Sequence, residues 1–183
     1  MDCYVVVEGK SDVELLKRVL GDEVSSRSAQ ITDGGGRSGA ASLATSILAV
    51  RRRPVVLVLD ADTTEESLVA EQRAYHEYRF RMAGGAREAR VVMAVPTLEI
   101  CLFQAPSVLS NALAIQLGEE QRIKAEYVPS KVLAELVPQG SHGHPLTSVA
   151  SRLKPDHVRE LRGTPLIQEI LHAIADVTKQ QAA

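Results

Sequence analysis

The chain has 183 residues, 45% hydrophobic and 24% charged, with a formal net charge of -2, the balance of a globular protein with a real core rather than of a disordered or membrane-embedded chain. Aromatic residues make up 3% and Trp is absent, which argues against a base-stacking platform, while the slight negative charge argues against a nucleic-acid-coating surface but allows an acidic site with a local basic rim. Cys3 and Cys101 lie in apolar stretches at no disulfide or metal spacing; with no signal peptide and no run of membrane-spanning length, a reducing cytoplasmic setting is expected.

Residues 3–7 form a short Val-rich run that reads as a buried first strand. It ends at Glu8-Gly9-Lys10, and Ser11 with Glu14 matches the S-x-x-E capping box. A helix is therefore expected to begin there, to pack Val13, Leu16 and Leu20, and to stop at Gly21. Glu8 then stands at the carboxyl end of a strand and Asp12 in the first turn of the next helix, the edge at which open α/β sheets bind ligands. Lys10 is a candidate phosphate contact, or simply an exposed turn lysine. Residues 28–32 read as a second, weaker strand, followed by Asp33-Gly34-Gly35-Gly36-Arg37 and a helix over 40–52. A glycine-rich loop entering a helix exposes amides that can hold an anion, so Gly34, Gly35, Gly36 and Arg37 are candidate phosphate ligands. Their spacing is neither the P-loop nor the dinucleotide fingerprint, and a flexible turn explains them equally.

Residues 55–59, VVLVL, show no polar alternation, which is how a strand buried on both faces reads. Asp60 and Asp62 follow at i and i+2, a spacing that in extended backbone projects both acids to one side. Two carboxylates about 4 Å apart repel by roughly 4 kcal/mol at an effective dielectric near 20. A divalent cation with oxygen ligands is the simplest offset; an acidic solvated turn is the plain alternative. Thr63 to Glu66 repeat the capping-box pattern ahead of a polar helix over 64–82, ended by Gly84-Gly85. Glu66 is placed to lend a further carboxylate, or to do no more than cap. A fourth strand over 90–95 leads to Pro96-Thr97-Leu98-Glu99, with Thr97 as N-cap and Glu99 in the opening turn of a short helix at the same edge. Glu99 is thus either a ligand for a second ion or an ordinary first-turn glutamate.

From residue 106 on no strand pattern remains. Residues 107–117, 130–136, 147–153, 155–161 and 165–178 read as helices. The stripe Leu166, Ile167, Ile170, Leu171 and Ile174 is expected to pack on the sheet or on the helices over it, with a homodimer contact as the second possibility. Gly140-Ser141-His142-Gly143-His144 reads as a polar loop over the site, with too few nitrogen donors for a metal of its own.

The segment V-V-V-E-G-K-S-D, residues 5–12, followed by Asp60-Ala61-Asp62 after a buried strand, resembles the TOPRIM domain shared by topoisomerases, bacterial primases, OLD-family nucleases and small RNA-maturation nucleases. The resemblance covers roughly the first hundred residues. It implies a Rossmann-like α/β fold, a mostly parallel four-stranded sheet flanked by helices over residues 1–104, with a helical C-terminal extension over 105–183. It further implies that Glu8, Asp60 and Asp62 bind Mg²⁺ or Mn²⁺ for chemistry on phosphodiester bonds. The Pro-x-x-Glu element ending at Glu99 is similar to that of stand-alone OLD-like, abortive-infection-type proteins, in which a basic residue follows near the place of Lys131. Two ions are expected, the second held by Asp12, Glu66 or Glu99, with Lys10, Arg37 or Lys131 on the phosphate. DNA is the expected substrate before RNA, with a partner protein as a candidate source of DNA binding and no membrane involved. The rivals are a maturation nuclease for structured RNA and a non-catalytic subunit that docks a phage-defence partner through its acidic edge.

Overall fold

The computed structural model describes residues 3–26, 29–85, 87–137 and 143–179. Four strands, β1 (Cys3–Val7), β2 (Ala29–Asp33), β3 (Val55–Asp60) and β4 (Ala89–Ala94), form one sheet in the order β2-β1-β3-β4. Every pairing is parallel, with Val5 opposite both Ile31 and Val56, and Val58 opposite Val92. The apolar runs are continuous because both faces are covered. Val5, Val7, Val56, Val58, Val92 and Ala94 enter one core, and Val6, Val55, Leu57, Leu59, Val91 and Met93 enter the other.

Crossover handedness decides which helix covers which face. A parallel crossover is right-handed, and the chain steps one way from β1 to β2 but the other way from β2 to β3 and from β3 to β4. Helix α1 (Lys10–Ser26) therefore lies on one face, while α2 (Arg37–Ser46), its π-helical continuation Ile47–Arg51, and α3 (Glu66–Met82) lie on the other. The connections leaving β1 and β3 diverge. That makes the carboxyl edge between these two neighbouring strands the topological switch point, where a crevice opens in doubly wound sheets.

After β4 the chain returns to the α1 face through α4 (Ile100–Phe103), α5 (Pro106–Leu113), α6 (Glu119–Ala125), α7 (Pro129–Leu136), α8 (Pro145–Ala150), α9 (Pro155–Arg162) and α10 (Pro165–Lys179). Pro106, Pro129, Pro145, Pro155 and Pro165 each open a helix, where the missing N–H costs nothing and φ is already set. The α10 stripe inserts Leu166, Ile167, Ile170, Ile174 and Val177 into the core shared with β1, β3 and β4. No helix among the described residues is long and apolar enough to cross a membrane.

Several expected boundaries move, each for a local reason. Gly21 does not stop α1, which runs to Ser26 because Val24 still buries against the core. The Ser11–Glu14 capping box does not form; Asp12 instead accepts a hydrogen bond from the Gly9 amide at 2.9 Å, closing the helix start two positions earlier. Helix α2 begins at Arg37 rather than residue 40, and Arg52, left-handed at φ 49°, ends its π turn. At the start of α3, Thr63 Oγ1 accepts from the Glu65 amide, not from Glu66, and Glu65 is the N-cap. Glu99 rather than Thr97 is the N-cap of α4. The helix expected over 107–117 ends at Leu113, and α6, with Ala125 as its one buried residue, was not foreseen. The expected loop over 140–144 lies mostly outside the described residues; of its described part, His144 N-caps α8, its Nδ1 accepting from the Leu146 amide.

Candidate functional site

Glu8 directly follows β1 and faces the end of β3. Its Oε1 accepts the Asp60 amide at 3.0 Å, so the carboxylate bridges the two strands where they part. The glycine loop anchors the same residue from the other side: the Gly34 amide donates to the Val7 carbonyl at 3.0 Å and the Gly36 amide to the Glu8 carbonyl at 2.7 Å. These bonds engage two donors of the expected anion cradle, Gly34 and Gly36, with the carbonyls of Val7 and Glu8. Gly34 is glycine for want of space, since a Cβ there would collide with the Ala40 backbone nitrogen. Gly36 holds φ 108°, a conformation that favours glycine, and so turns the chain into α2.

Asp60 ends β3. Its Oδ1 accepts the Leu98 amide at 2.8 Å, fastening it to the turn after β4. Pairing with β4 continues past the strand, Ala61 N–H to Ala94 and Asp62 N–H to Pro96, both at 2.8 Å. Asp62 then adopts φ 54°, a left-handed conformation that Asp tolerates better than most residues. The i, i+2 expectation assumed extended backbone, and Asp62 departs from it. The Asp60 side chain turns inward, while that of Asp62 is 67% exposed. Glu99 is buried and accepts the Thr97 hydroxyl at 2.6 Å. Asp12, beyond its bond to Gly9, accepts the Ser11 hydroxyl.

The acids of β1, β3, the β4 turn and α1 feel one another. Burial pushes the Asp60 carboxyl up to about 8; the Glu99 charge adds to the rise, the Leu98 amide opposes it, and Asp12 and Glu8 contribute further. Asp12 is raised by burial first, against the Gly9 bond, with Glu99 and Glu8 again adding. The buried Cys101 thiol is pushed up to about 12 by burial and next by Glu99, which leaves it a structural, unreactive group.

Arg37 is the cation at this edge. Its Nη2 donates to Asp62 Oδ2 at 2.6 Å and to the Asp60 carbonyl, and its Nε to Glu8 Oε1 at 3.4 Å. Gln72 of α3 supports it, accepting from Arg37 Nη1 at 3.4 Å while donating to the Ala61 carbonyl at 3.0 Å. Nothing in the sequence singles out Gln72, because it meets Arg37 only after α3 has crossed the sheet. His76, one turn further along α3, is buried and its pKa is lowered by burial, then by Arg79 and Arg37.

The structure thus brings Glu8, Asp12, Asp60, Asp62, Glu99 and Arg37 to one edge. Glu66, at the first position of α3, is exposed and lines a shallow cavity with Val69, Arg73 and Val95. Lys10 is exposed at the first position of α1. Lys131 is exposed on α7, which packs against α4 but gives Lys131 no bond to the acids. Partly buried carboxylate oxygens with mutual repulsion suit a hard divalent cation chemically. As the side chains stand, however, no three His, Cys, Asp or Glu among the described residues are arranged to hold an ion.

The fold is similar to that of the C-terminal region of the Burkholderia pseudomallei OLD protein, with a TM-score of 0.59 at 16% identity over 96% of this chain and 98% of that one. It is also similar to the C-terminal region of the Xanthomonas campestris pv. campestris OLD protein, with a TM-score of 0.54 at 12% identity over 98% and 97%. At these identities the likeness is one of fold. No protein-family model matches the sequence, and no curated protein matches it.

Proposed function

We propose that this chain is a Mg²⁺- or Mn²⁺-dependent nuclease unit of the OLD-like TOPRIM kind, cleaving phosphodiester bonds in DNA before RNA. One observation carries it: Asp60 stands half-buried at the switch point with Glu8, Asp12 and Glu99 around it, and burial first, then the charges of Glu99, Asp12 and Glu8, push its carboxyl up to about 8. A partly buried acid cluster of that kind is costly unless a cation offsets it. The fold shared with two OLD C-terminal regions agrees with that role.

Glu8, Asp60 and Asp62 would hold a first ion, and Asp12 with Glu99, or Glu66 from the start of α3, a second. Bound there, two ions supply charge neutralisation on the attacking and leaving oxygens of an in-line displacement. Leu98 and Gly9 keep Asp60 and Asp12 oriented through their amides. Lys10, two residues from Glu8, would contact the phosphate, with Arg37 or Lys131, on the helix packed against α4, as the other candidates. An acidic rim that merely docks a partner is less well supported, since Glu99 is buried and Asp12 and Asp60 are half-buried.

The test is nicking of supercoiled plasmid with Mn²⁺ or Mg²⁺, run beside a folded RNA. Asp60→Asn and Asp62→Asn are each expected to lower the rate by about a hundredfold or more. Wild-type rates in both variants would remove the proposal.

A further inference from the structure

We infer that Arg37 is a resident counter-ion, which occupies the site's charge balance in the free protein and competes with the divalent cation for Glu8 and Asp62. This rests on the metal-dependent reading above and adds to it a residue that sets how tightly the metal binds.

Three observations meet on this side chain. It donates to oxygens of three separate acidic positions, the Glu8 and Asp62 carboxylates and the Asp60 carbonyl. It is held in that place from outside the cluster, since Gln72 bonds both Arg37 and the Ala61 carbonyl. The acids lie together at one edge, yet no three of the described residues are turned to ligate an ion. An arginine fork explains the last point, because a carboxylate directed at a guanidinium is not free to converge on a second centre. The placement follows from the fold: Gly36, at φ 108°, starts α2 at Arg37, beside β1 and opposite the end of β3. Two part-exposed ion pairs, at 3.4 and 2.6 Å with Arg37 36% exposed, are weak enough for a doubly charged ion to displace.

Competition has a defined sign: removing Arg37 should tighten cation binding, although the side chain is part of the site. Free Mn²⁺ is measured by electron paramagnetic resonance in titrations of the wild type, Arg37→Gln, Gln72→Leu and Arg51→Gln at one pH and ionic strength. Arg37→Gln is expected to bind Mn²⁺ about tenfold more tightly than wild type, the size of two surface ion pairs lost to the competitor. Gln72→Leu, which loosens the hold while keeping the charge, is expected to shift affinity about twofold the same way. Arg51→Gln removes one positive charge at the far end of the same helical segment and is expected to match wild type. Equal or weaker binding in Arg37→Gln overturns the inference and leaves the metal site standing. A tightening reproduced by Arg51→Gln overturns it too, as a field effect. No Mn²⁺ binding by wild type or variant removes the metal reading itself.

Discussion

A carboxyl that keeps its proton until about pH 8 makes stability depend on pH with a definite sign. In the unfolded chain Asp60 ionises near 3.8, whereas in the fold it holds its proton to about 8. Between those limits the folded state binds more protons, so stability is greatest at the acid end and falls as pH rises toward 8. Asp12, raised in the same direction, adds to that slope. In chelator, the melting temperature of the wild type is expected to drop from pH 5 to pH 8. Asp60→Asn, which keeps an oxygen for the Leu98 amide, should flatten the drop and melt about 5 °C higher than wild type at pH 8. Parallel melting curves for the two proteins across that range would show that Asp60 is not the buried acid described here. At this scale the sequence was partly legible. Glu8, Asp60 and Glu99 could be placed at the carboxyl ends of strands because strand periodicity is local. The direction of Asp62 could not, because a left-handed φ at a non-glycine residue leaves no mark in the pattern. Arg37 could be nominated only as a phosphate contact, because its acid partners lie 29 and 25 residues away.

Elements were readable where burial dictated composition and obscure where it did not. All four strands stand close to where their apolar runs lie, since a strand covered on both faces has no room for polar residues. Helix ends were less legible: α1 overruns Gly21 because tertiary packing of Val24 outweighs one glycine's helix penalty. Helix α6 went unseen because a short helix with a single buried alanine shows no apolar period. The glycine loop joins β2 to α2, and its requirement differs from one glycine to the next. At Gly35 and Gly36 the demand is conformational, whereas at Gly34 it is steric, against the backbone of Gly39 and Ala40. Gly34→Ala must therefore move α2's first turn, and with it Arg37. A loss of about 2 kcal/mol or more in urea unfolding is expected, while Gly21→Ala, open on all sides and inside α1, should gain about 0.5–1 kcal/mol. A neutral Gly34→Ala would mean that the loop does not clasp α2 as described.

The whole molecule is bound together by the helices that follow the sheet. One face of β1, β3 and β4 is closed by α1 and α10, and the same core continues through Leu102, Leu109, Leu133, Leu146 and Leu161 of the later helices. Without them Val5, Val56, Val58 and Val92 would meet water on that face, and a parallel sheet does not persist half-bare. The acid edge depends on this closure, because the turn that brings Leu98 and Glu99 to Asp60 leads straight into α4, which rests on α10. Residues 1–104 expressed alone are therefore expected not to fold, although the motif resemblance ends near there. In the full chain, Ile170→Ala, at a fully buried position against the sheet, should cost about 3 kcal/mol. Because one core serves both halves, far-UV circular dichroism and the methyl resonances of the sheet valines should lose structure together at the lowered denaturant midpoint. If residues 1–104 give a dispersed amide spectrum and a cooperative melt, or if the valine signals outlast the helices in Ile170→Ala, the sheet carries its own stability. The later helices would then be an appendage rather than one wall of the fold.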